Sequence, residues 1–374
     1  MPCRRSPRRI CVSLADVLDR AAAGGRLTFD EGVRLYTQAP LHELGAAAYY
    51  RRMQLHPGSD VTYVIDTTIN YTNVCNVHCT FCAFYRHEGS REGYTMSHDE
   101  VLEHVRFAAD QGATQIMIQG GVNPELPLSW FTELFRKVSE RFPKVDIHSL
   151  SVSEVLGLAK VEGRSVEETL RALKEAGMKS LPGAGAEILV DRVRKRISAR
   201  KVAPDGWIEV MRQAQCLGMP TTATMMFGSV ETKEERIEHL EVIRRLQDEH
   251  AGGFTAFIPW YYVPHNTYLR GNEASGYEYL RVLAVSRLYL DNVAHLQASW
   301  LTPGLKMGQI ALFYGCDDMG GTIIEEKVVK LAGSTNEATR AQLERVIRDA
   351  GFNPVIRDTY WNLRPEMPLA TANA

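Results

Sequence analysis

The apolar positions of the chain follow two periods, which alternate along most of its length. Short apolar runs rich in β-branched residues are separated by amphipathic segments of ten or more residues, such as 97–111 and 233–249. The first pattern is typical of buried strands, and the second of helices that pack one face on a core. Strands alternating with helices predict βαβ units around a parallel sheet.

Six strand candidates share this short apolar pattern. They cover residues 114–119, 145–150, 178–182, 221–227, 253–260 and 295–301. The run VTYVIDTT at 61–68 and a weaker candidate after Gly315 bring the count to seven or eight. This number predicts an α/β fold, a full or nearly full (βα) barrel of the TIM type, in which functional residues lie where strands end and loops begin.

The barrel pattern does not extend over the whole chain. Residues 13–55 have a helical apolar period and begin with a serine cap, and a helix near 337–350 precedes the run NPVIRDTYWNL. We therefore expect three segments: an N-terminal helical extension at 1–60, a barrel at 61–320, and a C-terminal extension at 321–374 that packs on the barrel.

Composition narrows the class of protein. The 374 residues carry a formal net charge of −2, which gives no indication of a nucleic-acid partner. No run reaches the eighteen apolar residues that a membrane span requires. Seven cysteines without a paired pattern argue against a disulfide framework. We expect a cytoplasmic protein with a frayed basic N-terminus, and the arginines of MPCRRSPRRI leave a transit peptide as the alternative.

Three of the cysteines are closely spaced, directly after the first predicted strand. Cys75, Cys79 and Cys82 lie within eight residues, which suits one compact metal site with soft thiolate ligands. Zinc is the main alternative, with His78 or His87 as a fourth ligand. Common zinc sites combine two C-x₂-C units, and the sequence has only the one at Cys79 and Cys82, so the spacing favours a [4Fe–4S] cluster with one iron left free of protein ligands.

Small or polar residues follow the other predicted strands. Gly120 and Gly121 come directly after Gln119, and paired glycines let the backbone approach a ligand closely, although a plain turn is the alternative. His148 and Glu154 follow the next strand. A lone histidine is often a buried core residue, so a catalytic role for His148 is one of two interpretations.

The later strands end in further candidates. Glu187 follows a glycine-rich turn. Gly228 and Glu231 end the run TATMMFG, whose alternative interpretation is a buried strand followed by a helix cap. Trp260 and Tyr261 form an aromatic wall that suits an aromatic substrate, although aromatic residues are usually core.

The cysteine motif C-x₃-C-x-Φ-C, with Phe81 before the last cysteine, resembles the signature of the radical S-adenosylmethionine superfamily. The continuation AFYR at 83–86 is similar to the branch that makes menaquinone through futalosine, together with the deazaflavin synthases. This resemblance runs from about residue 60 to residue 360. It implies a [4Fe–4S] cluster and S-adenosylmethionine as cofactors.

The resemblance also implies roles for individual residues. Cys75, Cys79 and Cys82 would bind the cluster. The expected cofactor contacts are Phe81, Tyr85, Gln119, Gly120, Gly121, Glu187, Gly228 and Glu231. The expected substrate contacts are Arg86, Trp260, Tyr261 and Gln297. The expected catalytic residues are His148, Glu154 and Asp318.

Within this branch, the segments QGGVNPELP, FIPWYY and QASWLTPGLKMGQ are similar to the cyclases that act on dehypoxanthine futalosine. The implied reaction abstracts the ribose C4′ hydrogen and closes a ring onto the benzoate. A small nucleoside substrate and an electron donor such as a flavodoxin or ferredoxin would be the partners. The alternatives are an aminofutalosine synthase, a deazaflavin synthase-like enzyme and a non-catalytic zinc or iron–sulfur module.

Overall fold

The computed structural model of the protein describes residues 13–364. The basic N-terminus, with Cys3 and Cys11, lies outside these residues. The α-helices are Leu14–Ala22 (α1), Phe29–Gln38 (α2), Leu41–Leu55 (α3), His98–Asp110 (α4), Leu128–Arg141 (α5), Val152–Glu162 (α6), Val166–Glu175 (α7), Asp191–Ile197 (α8), Pro204–Cys216 (α9), Lys233–Glu249 (α10), Gly276–Tyr289 (α11), Leu305–Ala311 (α12), Val328–Ala332 (α13) and Arg340–Asp349 (α14).

The strands have the order that the apolar runs predict. They are Asp60–Val64 (β1), Asp66–Ile69 (β2), Gln115–Ile118 (β3), Asp146–His148 (β4), Met178–Ser180 (β5), Thr221–Phe227 (β6), Phe254–Tyr261 (β7), His295–Leu296 (β8), Asp318–Gly321 (β9) and Asn353–Ile356 (β10). The weak candidate after Gly315 is therefore a strand. The candidate at 295–301 is shorter than expected and ends at Leu296.

The strands form a ring in which every strand pairing is parallel. Three hydrogen-bonded groups have the orders β10-β1-β9, β2-β3-β4-β5 and β6-β7-β8. The chain passes directly from β1 into β2, and single bridges join Leu181 to Thr221 and Gln297 to Asp318. The predicted barrel architecture is confirmed, although single bridges rather than one continuous ladder complete the ring.

The run VTYVIDTT forms two strands instead of the single one expected. Its first half, β1, pairs with β10, whereas its second half, β2, pairs with β3. The strand β10 lies in the predicted C-terminal extension and enters the sheet beside β1. Residues 353–356 of the predicted C-terminal extension therefore contribute to the barrel wall.

The helices cover the ring with their apolar faces. In α10 the buried residues Ile237, Leu240, Ile243 and Leu246 recur every three residues, as expected for one helix face packed on the strands. Helix α11 is buried along nearly its whole length because α2 and α3 cover its outer side. The predicted N-terminal helices are confirmed, and Ser13 caps α1 as expected.

Candidate active site

A cavity of about 380 Å³ opens where the strands end and extends down into the ring. Nearly every strand, or the loop that follows it, contributes to its wall. Examples are Thr68 from β2, Met117 from β3, Thr224 from β6 and Ile258 from β7. This position agrees with the expected location of function at the carboxyl ends of parallel strands.

The three closely spaced cysteines line one side of this cavity, in the loop after β2. The loop is held at both ends by backbone hydrogen bonds. Cys75 N–H donates to the carbonyl of Arg86 at 3.0 Å, and Thr80 N–H donates to the carbonyl of Ile197 at the end of α8 at 2.9 Å. Cys79 is buried, whereas Cys75 and Cys82 are half-buried.

The thiol positions fit a cluster better than one zinc ion. Thiolates on one tetrahedral zinc lie about 3.8 Å apart, given Zn–S bonds of about 2.3 Å. Among residues 13–364, the three cysteines do not form a group whose ligand atoms all lie within 4.8 Å of one another. Wider separation is expected when each thiolate binds a different iron of a cluster.

The histidine that could complete a zinc site points elsewhere. Both ring nitrogens of His78 are engaged, Nδ1 with the Arg200 guanidinium at 2.6 Å and Nε2 with His87 Nδ1 at 3.1 Å. Neither histidine lines the cavity. Burial also raises the pKa of the Cys79 thiol to about 12, so a thiolate at this position needs a bound cation.

The glycine pair after β3 allows this loop to pack directly on the cysteine loop. A Cβ on Gly121 would lie 2.1 Å from the carbonyl oxygen of Val74, and one on Gly120 would lie 2.7 Å from that of Thr72. Both glycines and Gln119 line the cavity next to the thiols. The two glycines therefore allow close packing between these two loops, and the expected backbone approach to a ligand stays a prediction.

Glu154 binds this glycine loop from outside the main cavity. Its Oε1 accepts hydrogen bonds from the backbone N–H of Gly120 at 3.0 Å and from the Tyr71 hydroxyl at 2.8 Å. Its Oε2 accepts from the backbone N–H of Ser151, which caps α6. Burial raises the pKa of Glu154 to about 7. Glu154 is outside the wall of the main cavity, so its contact with the site passes through Gly120.

Glu187 forms a buried ion-paired cluster beside the cysteine loop. Its carboxylate contacts Lys201 Nζ at 2.8 Å and Arg194 Nη1 at 3.4 Å. Lys201 also lies 5.6 Å above the Phe81 ring, in cation–π geometry. Sequence reasoning missed Lys201. The basic run at 192–201 was the available signal, but its spacing does not indicate which cation faces inward.

The floor of the cavity is polar. His148, Thr222, Gln297 and Asp66 line both this cavity and a smaller one of about 80 Å³ beneath it. His148 Nδ1 lies 2.6 Å from the Ser180 hydroxyl, and burial lowers the pKa of His148 to about 3. Burial raises the pKa of Asp66 to about 6. Sequence reasoning missed Asp66, although an acidic residue within an apolar strand is an unusual feature.

Several predicted site residues do not line the cavity and contact other parts of the protein instead. Asp318 is buried and bound to Arg357, with Nε to Oδ2 at 2.6 Å. Arg86 binds Glu92 at the surface. The Tyr261 hydroxyl donates to a backbone carbonyl, and Glu231 binds Arg236 and the amide of Gly228. Among the predicted site residues, those lining the cavity are Cys75, Cys79, Phe81, Cys82, Tyr85, Gln119, Gly120, Gly121, His148, Glu187, Trp260 and Gln297.

Two family models and several known proteins match the sequence of this chain. Residues 69–243 match the radical SAM superfamily, and residues 251–370 match the CofH/MqnC C-terminal region. The cyclic dehypoxanthine futalosine synthase of Streptomyces coelicolor is 45% identical over 92% of this chain and 88% of its own length. The chain belongs to the radical SAM superfamily.

Further relatives and one solved structure are also similar to this chain. The cyclic dehypoxanthine futalosine synthase of Halalkalibacterium halodurans is 42% identical over 94% of this chain and 95% of its own length. The aminodeoxyfutalosine synthase of Thermus thermophilus is 38% identical over 96% of both chains. Among solved structures, methylornithine synthase covers 90% of this radical SAM enzyme and 97% of its own chain, with a TM-score of 0.69 at 18% identity.

A radical SAM enzyme uses a [4Fe–4S] cluster together with S-adenosylmethionine. The cavity of this enzyme has three thiols on one wall, with a glycine loop and a buried ion-paired cluster beside them. None of the helices between residues 13 and 364 has the length and apolar composition of a bilayer-spanning segment.

Proposed function

We propose that this radical SAM enzyme converts dehypoxanthine futalosine to its cyclic form in menaquinone biosynthesis. The observation that carries the proposal is the identity of 45% and 42% to two cyclic dehypoxanthine futalosine synthases, over nearly the whole chain. The aminodeoxyfutalosine synthase is 38% identical. The apolar cavity wall with Trp260 and Ile258 suits an aromatic nucleoside.

Cys75, Cys79 and Cys82 would hold the cluster, since all three thiols line one wall of the cavity. When bound, the reduced cluster and S-adenosylmethionine supply a 5′-deoxyadenosyl radical. The loop with Gly120 and Gly121 would lie against the methionyl end of the cofactor, as the resemblance implies. Glu154 is a positioning residue in this proposal, because it fixes the backbone amide of Gly120.

The remaining cavity would bind the substrate. Trp260 and Ile258 give it an apolar wall that excludes water from a carbon radical. Gln297 and Thr222 provide polar groups at the floor, and neutral His148 is a further hydrogen-bonding group there. The ribose C4′ hydrogen atom would move to the 5′-deoxyadenosyl radical and give 5′-deoxyadenosine. The C4′ radical would then add to the benzoate ring, and loss of one proton and one electron would restore aromaticity.

The proposal also includes the electron donor and the cellular compartment of the reaction. An electron donor such as a flavodoxin or a ferredoxin would reduce the cluster. The free thiols of the described residues suit a reducing cytoplasm.

The test is turnover of the reconstituted enzyme without oxygen. With reductant, S-adenosylmethionine and dehypoxanthine futalosine, we expect 5′-deoxyadenosine and a product two hydrogens lighter than the substrate, detected by mass spectrometry. Turnover of a chorismate-derived enol ether instead would assign the aminofutalosine reaction and contradict the proposal. A colourless protein that holds one zinc ion would contradict the cluster.

Two cysteine variants provide the matched control. Cys79→Ser should lose the cluster iron and all 5′-deoxyadenosine formation, because a buried thiolate ligand is removed. Cys216→Ser should keep both, because Cys216 is exposed at the end of α9 and is outside the cavity. Iron analysis and product formation measure both variants.

A further inference from the structure

Three carboxylates line the main cavity, and two of them are already neutralised or used in capping. Glu187 is bound by Lys201 and Arg194. Glu326 accepts hydrogen bonds from the backbone N–H groups of Val328 and Val329 and so caps α13. Neither carboxylate is free to take up a proton without losing these partners.

Asp66 is the third carboxylate, and its environment differs from that of the other two. Its Oδ1 accepts one hydrogen bond, from the backbone N–H of Ile323 at 2.9 Å. Among residues 13–364, no hydrogen bond from another residue reaches Oδ2. The residue is only 8% exposed, and this exposed part faces the cavity.

The surrounding fold makes room for this carboxylate. A Cβ on Gly321 of β9 would lie 2.0 Å from Oδ1 and 2.3 Å from Oδ2, so any larger residue there would displace the Asp66 carboxylate from this position. Arg357, the cation that acts electrostatically on Asp66, is bound to Asp318 and does not form an ion pair with Asp66. A buried carboxylate with one free oxygen and no ion-pair partner costs folding free energy, and such groups are concentrated at functional sites.

His148 is the other titratable group at the cavity floor. Burial keeps it neutral, because its pKa is lowered to about 3. A group with so low a pKa is a poor proton acceptor near neutral pH, whereas a carboxyl with a pKa of about 6 is ionised at pH 7.5 and accepts a proton readily.

We infer that Asp66 is the proton acceptor in the last step of ring closure, a role that rests on the proposed function. The C–H bond at the attacked ring carbon breaks, its proton moves to Asp66 Oδ2, and its electron pair stays on the ring. The resulting ring radical anion would return one electron to the oxidised iron–sulfur cluster that Cys75, Cys79 and Cys82 would hold. That electron replaces the one used to cleave S-adenosylmethionine, so protons and electrons balance.

The variant Asp66→Asn tests this role with substrate deuterated at ribose C4′. Asparagine keeps the shape and can accept the hydrogen bond from Ile323, but its amide does not accept the proton. We expect deuterium to appear in 5′-deoxyadenosine at a rate within about threefold of the unmodified enzyme. Formation of the cyclic product should fall about 100-fold or more, the usual contribution of a general base.

Asp60→Asn is the matched control. Asp60 begins the neighbouring strand β1, is exposed and is outside the cavity, so both rates should be unchanged. The iron content and deuterium transfer of Asp66→Asn report directly that the variant is folded and loaded.

Two results would overturn the inference while leaving the proposed function intact. The first is cyclic product from Asp66→Asn at the unmodified rate. The second is loss of deuterium transfer together with product in an iron-loaded variant, which would make Asp66 a substrate-binding group. If the unmodified enzyme itself forms no cyclic product, the proposed function is rejected. The role of Asp66 as the base of that reaction is then rejected as well.

Discussion

Glu154 shows how one side chain can serve the site without touching the cavity. Its carboxylate accepts from Gly120, Tyr71 and Ser151, so it joins the start of α6 to the glycine loop. A second capping box, made by Ser165 and Glu168 at the start of α7, is exposed to solvent. The same local motif therefore has a structural use in one helix and a positioning use in the other.

The pair of capping boxes gives a prediction for Glu154→Gln. An amide N–H₂ replacing Oε2 would face the donor N–H of Ser151, which displaces the side chain from Gly120. We expect the KM for S-adenosylmethionine to rise about tenfold, as loss of about 1.4 kcal/mol implies, with a smaller change in kcat.

Glu168→Gln is the control for this prediction, because it changes the same capping position on α7 at the surface. It should leave both kinetic constants unchanged. Steady-state kinetics with varied S-adenosylmethionine measures the two variants. Equal KM values in Glu154→Gln and the unmodified enzyme would contradict the positioning role.

At the scale of elements, a buried histidine joins α10 to the segment that carries Glu187. His239 Nδ1 accepts a hydrogen bond from the backbone N–H of Leu189 at 3.0 Å. Burial lowers the pKa of His239 to about 3. The unfolded chain takes up a proton at this imidazole below about pH 6.5, whereas the folded chain does not, so this group lowers stability as the pH falls.

We therefore expect His239→Gln to lose part of the acid sensitivity of the enzyme. Between pH 7.5 and pH 5, the stability of the unmodified enzyme relative to the variant should fall by about 2 kcal/mol, from linkage of one histidine. Urea unfolding at the two pH values measures this difference. His42→Gln, which changes an exposed side chain, should reproduce the unmodified pH dependence.

At the scale of the whole molecule, the barrel wall is completed by a residue close to the end of the chain. Arg357 follows β10, donates to both carboxylate oxygens of Asp318 on β9, and stacks on Trp361 at 3.9 Å. Thr62 on β1 also donates to this carboxylate at 2.7 Å. Three strands thus meet at one buried ion pair.

Removing one partner of this ion pair should destabilise the enzyme. Arg357→Met leaves the Asp318 carboxylate buried and unpaired, and we expect a loss of about 3–5 kcal/mol of unfolding free energy. The double variant with Asp318→Asn should recover part of this loss, because the unpaired charge is gone. Urea unfolding of the single and double variants measures the coupling, and additive losses would contradict it.

Much of the candidate site could be predicted from contiguous residues. The spacing of Cys75, Cys79 and Cys82 and the adjacent glycines predicted a cluster loop, and the structure places them along one cavity. Local spacing is sufficient for such motifs because neighbouring residues in one loop remain neighbours in the fold. The resemblance also implied a catalytic role for Asp318, but a distant arginine binds its carboxylate.

The sequence by itself determined the barrel and the thiol loop, because a strand–helix period and a ligand spacing are both written in consecutive residues. Only the tertiary structure decided that β10 joins β1, that Lys201 faces Glu187, and that Asp66 keeps a free oxygen in the cavity. These features depend on strand register and on partners that are distant in the sequence. Lys201 is 14 residues from Glu187, and Asn353 is 293 residues from its partner Asp60. No local pattern specifies such partners.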